Sequence, residues 1–164
     1  MADVLPALAD TPDGVDADAW TAACAAVRAY CGWHVAPSFT ESVTLDGPGT
    51  GVLLLPTLHL TALADVTNDG AAVSDPEWSQ AGMVRGSWTG RYRGITATMT
   101  HGYETCPGEI LGVLREAASR GITGSAVSQV GQVRMGGVDG VPGAASFMLE
   151  QQAVLDRYVL PVRS

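Results

Sequence analysis

The chain contains no lysine: its nine basic residues are all arginine, set against seventeen acidic ones, for a net charge of −8. That gap excludes a Walker-type phosphate loop, a pyridoxal Schiff base and a lysine nucleophile, each of which needs the missing amine. The acidic surplus weighs against a dedicated nucleic-acid binder, because such binding rests on cations that neutralise phosphates. Long hydrophobic runs are lacking as well. The longest, Val52-Leu53-Leu54-Leu55, stops at Pro56, far short of the ~20 residues of a membrane helix. Residues 1–6 carry no basic, apolar leader, so no secretory signal is expected, and synthesis in the cytoplasm is the default. Cysteine is sparse and odd in number, with Cys24, Cys31 and Cys106 forming no CxxC pair. A disulfide framework needs an even and denser set, so all three are read as reduced.

What is present fits one domain of ordinary size, with a hydrophobic fraction of 46% that supports a real core. Residues 1–15 show no periodicity and read as a flexible or partner-ordered arm. From Asp16 or Asp18, either a good cap, the residues Trp20, Ala23, Cys24, Val27, Tyr30 and Cys31 recur at helical spacing, and Gly32 ends the helix. A helix over 16–31 follows. Between 39 and 103 the period falls to two. Asn68-Asp69-Gly70 marks a tight hairpin, Ile95, Ala97 and Met99 alternate with threonines, and Asp46-Gly47-Pro48-Gly49 reads as another hairpin turn. A second helix runs over 107–120, with Pro107 suited to its first position and a stripe of Ile110, Leu111, Leu114, Ala117 and Ala118. Residues 121–145 are glycine-rich and read as a loop. A last helix over 147–158 and a tail over 159–164 complete the order. The fold class is therefore α+β: helices at both ends, packed with a small, mostly antiparallel sheet inserted between the first and second helices. Residues 16–158 are expected to form a single domain.

Few side chains announce chemistry. Cys31, His34, His101 and Cys106 have spacings that a zinc site tolerates, but Cys31 lies on the apolar helix face and His101 is in phase with the buried side of its strand. No carboxylate dyad and no cysteine–histidine pair with an orienting third group is marked. No catalytic residue, metal or cofactor is expected, and the chain reads as a structural protein, not an enzyme. Trp33, Trp78 and Trp88 sit outside the periodic stripes; each is either a core filler or an interface anchor. Arg91-Tyr92-Arg93 is a basic, aromatic turn, either a solvated tip or a contact for an acidic neighbour.

Read in order, Cys31-Gly-Trp-His34-Val-Ala-Pro37, Leu45-Asp-Gly47, Leu54-Leu-Pro-Thr57, Asp69-Gly70, Trp78-Ser79, Trp88, Thr100-His-Gly-Tyr103 with Pro107, Ser125 to Gly131, and Leu155-Asp-Arg-Tyr158 carry a resemblance. The chain resembles the head-to-tail adaptor (head-completion or connector) proteins of long-tailed bacteriophages over roughly residues 18–160. The resemblance implies a virion protein of the head–tail neck that forms a homo-oligomeric ring, generally a dodecamer, beneath the portal protein. Such a ring extends the channel through which double-stranded DNA passes, without reading its sequence, and docks a stopper or other neck protein; no membrane is involved. A stopper or tail-completion protein of the same neck is the alternative, and a small Cys/His-dependent or zinc-binding enzyme a further one. Arg157, Tyr158, Leu160 and Arg163 are the candidate portal contacts, although Tyr158 and Leu155 would serve equally as core. Trp33, Trp88, Arg91, Tyr92, Arg93, Val130, Val133 and Met135 are the candidates for contact with a neighbouring subunit or the stopper.

Overall fold

The computed structural model describes residues 6–120 and 147–161. It is a mixed α+β chain whose strands all lie between the first and second helices. By its contacts the chain divides into two compact units, residues 1–32 with 107–159 and residues 33–106 with 160–164.

The first unit is helical. Helix α1 spans Ala17–Cys31. Asp16 Oδ1 accepts from Ala19 N at 2.8 Å, satisfying one of the orphan amides at the helix start. Gly32 closes it with φ 77°, returning its N–H to the Arg28 carbonyl, a conformation that only a residue without Cβ adopts freely. Of the stripe read from spacing, Trp20, Ala23, Cys24, Val27 and Cys31 are buried, with Ala19 beside them, while Tyr30 is half-buried. Over its described part, the segment read as a flexible or partner-ordered arm contacts α1. Leu8 is buried, the Trp20 indole N–H donates to the Ala9 carbonyl at 2.9 Å, and Arg28 donates to the Pro6 carbonyl. Helix α2 spans Gly108–Ser119 and packs on α1 through Ile110, Val113, Leu114, Ala117 and Ala118. Pro107 stands just outside the helix as its cap, one position earlier than expected. Helix α3 is Leu149–Leu155, shorter than the 147–158 expected, and a 3-10 turn takes over at Asp156–Tyr158. It is fixed to α2 by Gln151. That buried amide donates to Glu116 Oε2 at 2.7 Å and accepts from Arg120 at 2.6 Å and from the Met148 amide at 3.1 Å. A buried amide needs such partners, since leaving it unpaired costs about 1–3 kcal/mol.

The second unit holds seven strands in two antiparallel sheets. The larger has the order β1 (Phe39–Leu45), β7 (Ile95–His101), β3 (Leu60–Asn68), β4 (Ala71–Ala72). Strand β7 is its centre, and Ile95, Ala97, Met99 and His101 all point into the core. Its opposite face is a threonine ladder: Thr100 meets Thr40 at 2.7 Å and Thr96 meets Thr67 at 2.6 Å through their hydroxyls. Cross-strand pairs of this kind stabilise a sheet. The hairpin at Asp69-Gly70 joins β3 to β4 with both residues at positive φ, 56° and 83°, the two-residue turn that matches strand twist.

The smaller sheet has the order β2 (Val52–Leu54), β6 (Met83–Arg85), β5 (Glu77–Trp78). Its existence corrects one expectation: Asp46 to Gly51 is no hairpin turn, because β1 and β2 belong to different sheets. The segment instead runs beside residues 86–91, with Gly47 N donating to Arg91 O, Gly49 N to Thr89 O, Gly86 N to Gly51 O and Trp88 N to Thr50 O. Both sheets feed one core of Leu53, Leu55, Leu60, Val66, Val84, Trp88, Ile95, Ala97 and Met99. Among the described residues no helix is long and apolar enough to cross a membrane.

Candidate functional site

The chain's three histidines all lie in the second unit and share one aromatic cluster. The His34 ring lies 4.2 Å from Phe39 and 6.0 Å from His101, Phe39 lies 5.0 Å from His101, and Trp33 stands 6.4 Å from His101 and 6.3 Å from Tyr103. Tyr103 in turn stacks on His59 at 4.3 Å. Their protons are committed. His59 Nδ1 donates to the Gly102 carbonyl at 3.2 Å and its Nε2 accepts from Gln80 at 3.0 Å. His34 Nε2 donates to the Pro37 carbonyl at 2.5 Å. His101 Nε2 lies 3.0 Å from Glu41 Oε1. Burial lowers the His101 pKa to about 4, so at neutral pH this contact is a neutral imidazole donating to a carboxylate and not an ion pair. Burial also raises the Glu41 carboxyl. The cluster is a packed wall with hydrogen-bonded rims, as the phase of His101 with Ile95, Ala97 and Met99 implied. Among the described residues no group of three or more His, Cys, Asp or Glu side chains is placed to hold a metal ion. All three cysteines are buried, and burial pushes the Cys24 thiol up, away from the thiolate that nucleophilic chemistry uses.

The unusual surface of this unit is the outer face of the small sheet. Leu53 and Val84, directly opposed across β2 and β6, face inward and are 2% and 0% exposed. The alternate positions face outward, where a sheet with one wet side carries polar residues. Here they are Val52, Leu54 and Met83, each more than two-fifths exposed, followed by Arg85. Trp78 on the edge strand β5, itself 38% exposed, joins Val52, Ser79 and Met83 around a cavity of about 170 Å³, with the Glu77–Arg85 ion pair at its rim. That pair spans 3.1 Å with both side chains largely in water, so it contributes about 0–1 kcal/mol. Among the described residues, both outer strands of this sheet lack a second strand neighbour, as β1 does in the larger sheet. Chemically the surface can do one thing: cover itself with another apolar surface or an added strand.

The residues nominated from sequence are distributed unevenly. Trp33 and Trp88 are each only 6% exposed. Trp88 donates its indole N–H to the Val84 carbonyl at 3.1 Å from inside the core. Arg91, Tyr92 and Arg93 do form an exposed turn. Arg91 pairs with Asp69 at 2.9 Å, the Arg93 amide donates to Asp46, and Tyr92 is 89% exposed. Arg157 and Tyr158 both grip Glu109 of α2, Arg157 at 3.0 Å and Tyr158 through its hydroxyl, so these portal-contact candidates already have partners within the first unit. Leu160 is half-buried. Val130, Val133, Met135, Arg163 and the glycine-rich segment 121–145 lie outside the described residues. Val52, Leu54 and Met83 were not nominated. Their signal was in the sequence: a continuous Val-Leu-Leu-Leu run marks a strand covered on both faces, and it is too short to be anything else. The chain matches no protein-family model and no curated protein.

Proposed function

We propose that this chain is a structural subunit of the neck of a long-tailed bacteriophage, an adaptor that assembles as a ring beneath the portal, extends the DNA channel and presents a docking surface to the next neck protein. The observation that supports this most is the small sheet, apolar on both faces yet uncovered on one. A surface of that kind belongs to a protein whose working state is an assembly. The order and spacing of the motifs from Cys31 to Tyr158 supply the rest. The histidine cluster favours the same side of the choice between assembly and catalysis, since its protons are held by carbonyl and carboxylate oxygens. An acidic subunit suits a conduit, because a wall of DNA's own sign resists phosphate adhesion.

The test is native mass measurement and electron microscopy of the purified chain with and without portal rings of its own virus. A ring of this chain seated on the portal is the expected result. Association with tail-tube assemblies in place of the portal would move the chain to the stopper or tail-completion position. A monomer indifferent to both would end the neck reading.

A further inference from the structure

We propose that β1 is the contact edge of a two-fold dimer, in which the β1 strands of two copies pair antiparallel about Ser42 and join the larger sheets into one. The proposal stands on the second unit alone and needs no portal, so it adds to the neck reading without resting on it. Among the described residues four strands end the two sheets, and three of them are short: β2 has three residues, β4 and β5 two each. Short edges are one device by which sheets avoid recruiting other chains. The fourth, β1, has seven residues in unbroken register with β7. It contains no proline, no basic residue and no bulge. Its second side has no strand neighbour, and none of its residues makes a backbone hydrogen bond outside the pairing with β7 among the described residues.

The strand's own sequence, Phe39-Thr-Glu-Ser-Val-Thr-Leu45, selects a second copy of itself. Thr40, Ser42 and Thr44 are exposed, while Phe39, Glu41, Val43 and Leu45 on the other face are half-buried. Directly opposed residues of an antiparallel pair share a face. Turned on itself about Ser42, the strand sets Thr40 opposite Thr44 and Ser42 opposite Ser42 on one face. On the other it sets Phe39 opposite Leu45 and Glu41 opposite Val43. The hydroxyl face continues the one already shared with β7, where Thr40, Ser42 and Thr44 stand opposite Thr100, Thr98 and Thr96. Val43 and Leu45, packed against the core from the edge, gain the cover that an edge position denies them. Charge and pattern pick this register over its neighbours. A slip of one residue sets hydroxyls against apolar side chains. A slip of two in one direction opposes Glu41 to Glu41, a destabilising like-charged pair; in the other direction it leaves only Glu41 to Leu45 paired. In the proposed register Glu41, the strand's single charge, stays on His101 at 3.0 Å and meets no acid directly, although each copy carries −8. Such an isologous contact closes at two copies. It caps the long open edge and uses none of Val52, Leu54, Trp78 and Met83, the residues on which the assembly reading relies.

The experiment adds one cysteine at a time to the full chain, at exposed positions of β1; the native thiols are buried. Ser42→Cys is oxidised alone, and Thr40→Cys is mixed with a size-tagged Thr44→Cys, both under mild copper–phenanthroline. Opposed Cα atoms lie ~4.5–5.5 Å apart in an antiparallel pair, within disulfide reach. Thr40 and its own copy would stand roughly 13 Å apart at ~3.4 Å per residue, beyond it. The expected products are the Ser42→Cys dimer and a mixed 40–44 dimer in excess over 40–40 and 44–44, and both persist when Leu54→Glu is added. Ser42→Lys, which sets like charges face to face, is expected to turn the wild-type dimer into a monomer in sedimentation velocity with far-UV circular dichroism unchanged. Equal yields of the 40–40, 44–44 and 40–44 products would mark chance collision and overturn the proposal. So would a wild type that is monomeric at every concentration, a Ser42→Lys chain that still dimerises, or cross-links lost with Leu54→Glu, which would transfer the contact to the small sheet.

Discussion

His101 is an imidazole held where charging it is costly: its ring is 1% exposed, and burial takes its pKa from 6.5 to about 4. A base with a depressed folded pKa stabilises the fold above its unfolded pKa and loses that contribution as pH falls toward the folded one. In the window from 6.5 down to about 4 the unfolded chain binds the extra proton, so stability falls with pH, by about 3 kcal/mol across the window at one pKa unit per 1.36 kcal/mol. Glu41 opposes this at the acidic end. Its carboxyl is raised by burial, so its own contribution is present at low pH and is lost as pH rises through its folded pKa. A His101→Asn variant removes the titrating group. Urea unfolding at a series of pH values is expected to show a flatter dependence between pH 6.5 and about 4 than the wild type. Parallel curves for the two proteins would place the acid sensitivity elsewhere.

Glycine sets two elements of the second unit by different physics, and substitution separates them. At Gly70, in the β3–β4 turn, φ is 83° and an added Cβ meets nothing within 4 Å, so Gly70→Ala carries only the left-handed backbone cost of about 1–2 kcal/mol. At Gly47 an added Cβ would lie 2.0 Å from the Thr89 carbonyl oxygen, a collision of backbone with backbone that no side-chain rotation relieves. Gly47→Ala is expected to separate the 46–51 segment from 86–91 and to lower the thermal midpoint more than Gly70→Ala does. An equal or smaller loss at Gly47 would mean that this crossing yields easily. The same contrast explains what was legible beforehand. Asp69-Gly70 is a local signal, readable because a two-residue turn needs positive φ from its own residues. The helical stripe from Trp20 to Cys31 and the alternation from Ile95 to His101 are local too, and both stood. The path of Asp46 to Gly51 is decided by Arg91 and Thr89, some forty residues away, and no pattern within the segment distinguishes a hairpin from a crossing between sheets. The groove was half-legible. The Val52–Leu55 run was visible, but only the pairing of Leu53 with Val84 shows which half of it turns outward.

At the scale of the whole molecule, two electrostatic effects act on assembly with opposite signs, and their sizes decide the salt dependence. Each copy carries −8, and like-charged copies repel over the screening length, ~30 Å at 0.01 M salt and ~8 Å at 0.15 M. Against this stand any ion pairs formed between copies, solvated pairs worth about 0–1 kcal/mol apiece. Apolar burial in the groove is nearly indifferent to salt over this range, so the long-range repulsion dominates the trend. Self-association measured by sedimentation velocity is therefore expected to strengthen as sodium chloride rises from about 0.01 M to about 0.15 M, where most of the screening change occurs. Leu54→Glu, which places a carboxylate on the apolar face, is expected to weaken association at every salt concentration. Association that weakens on adding salt would assign the contact to ion pairs. The groove would then be a bystander, and the arginine turn at 91–93, with Tyr92 fully presented beside it, would become the surface to pursue.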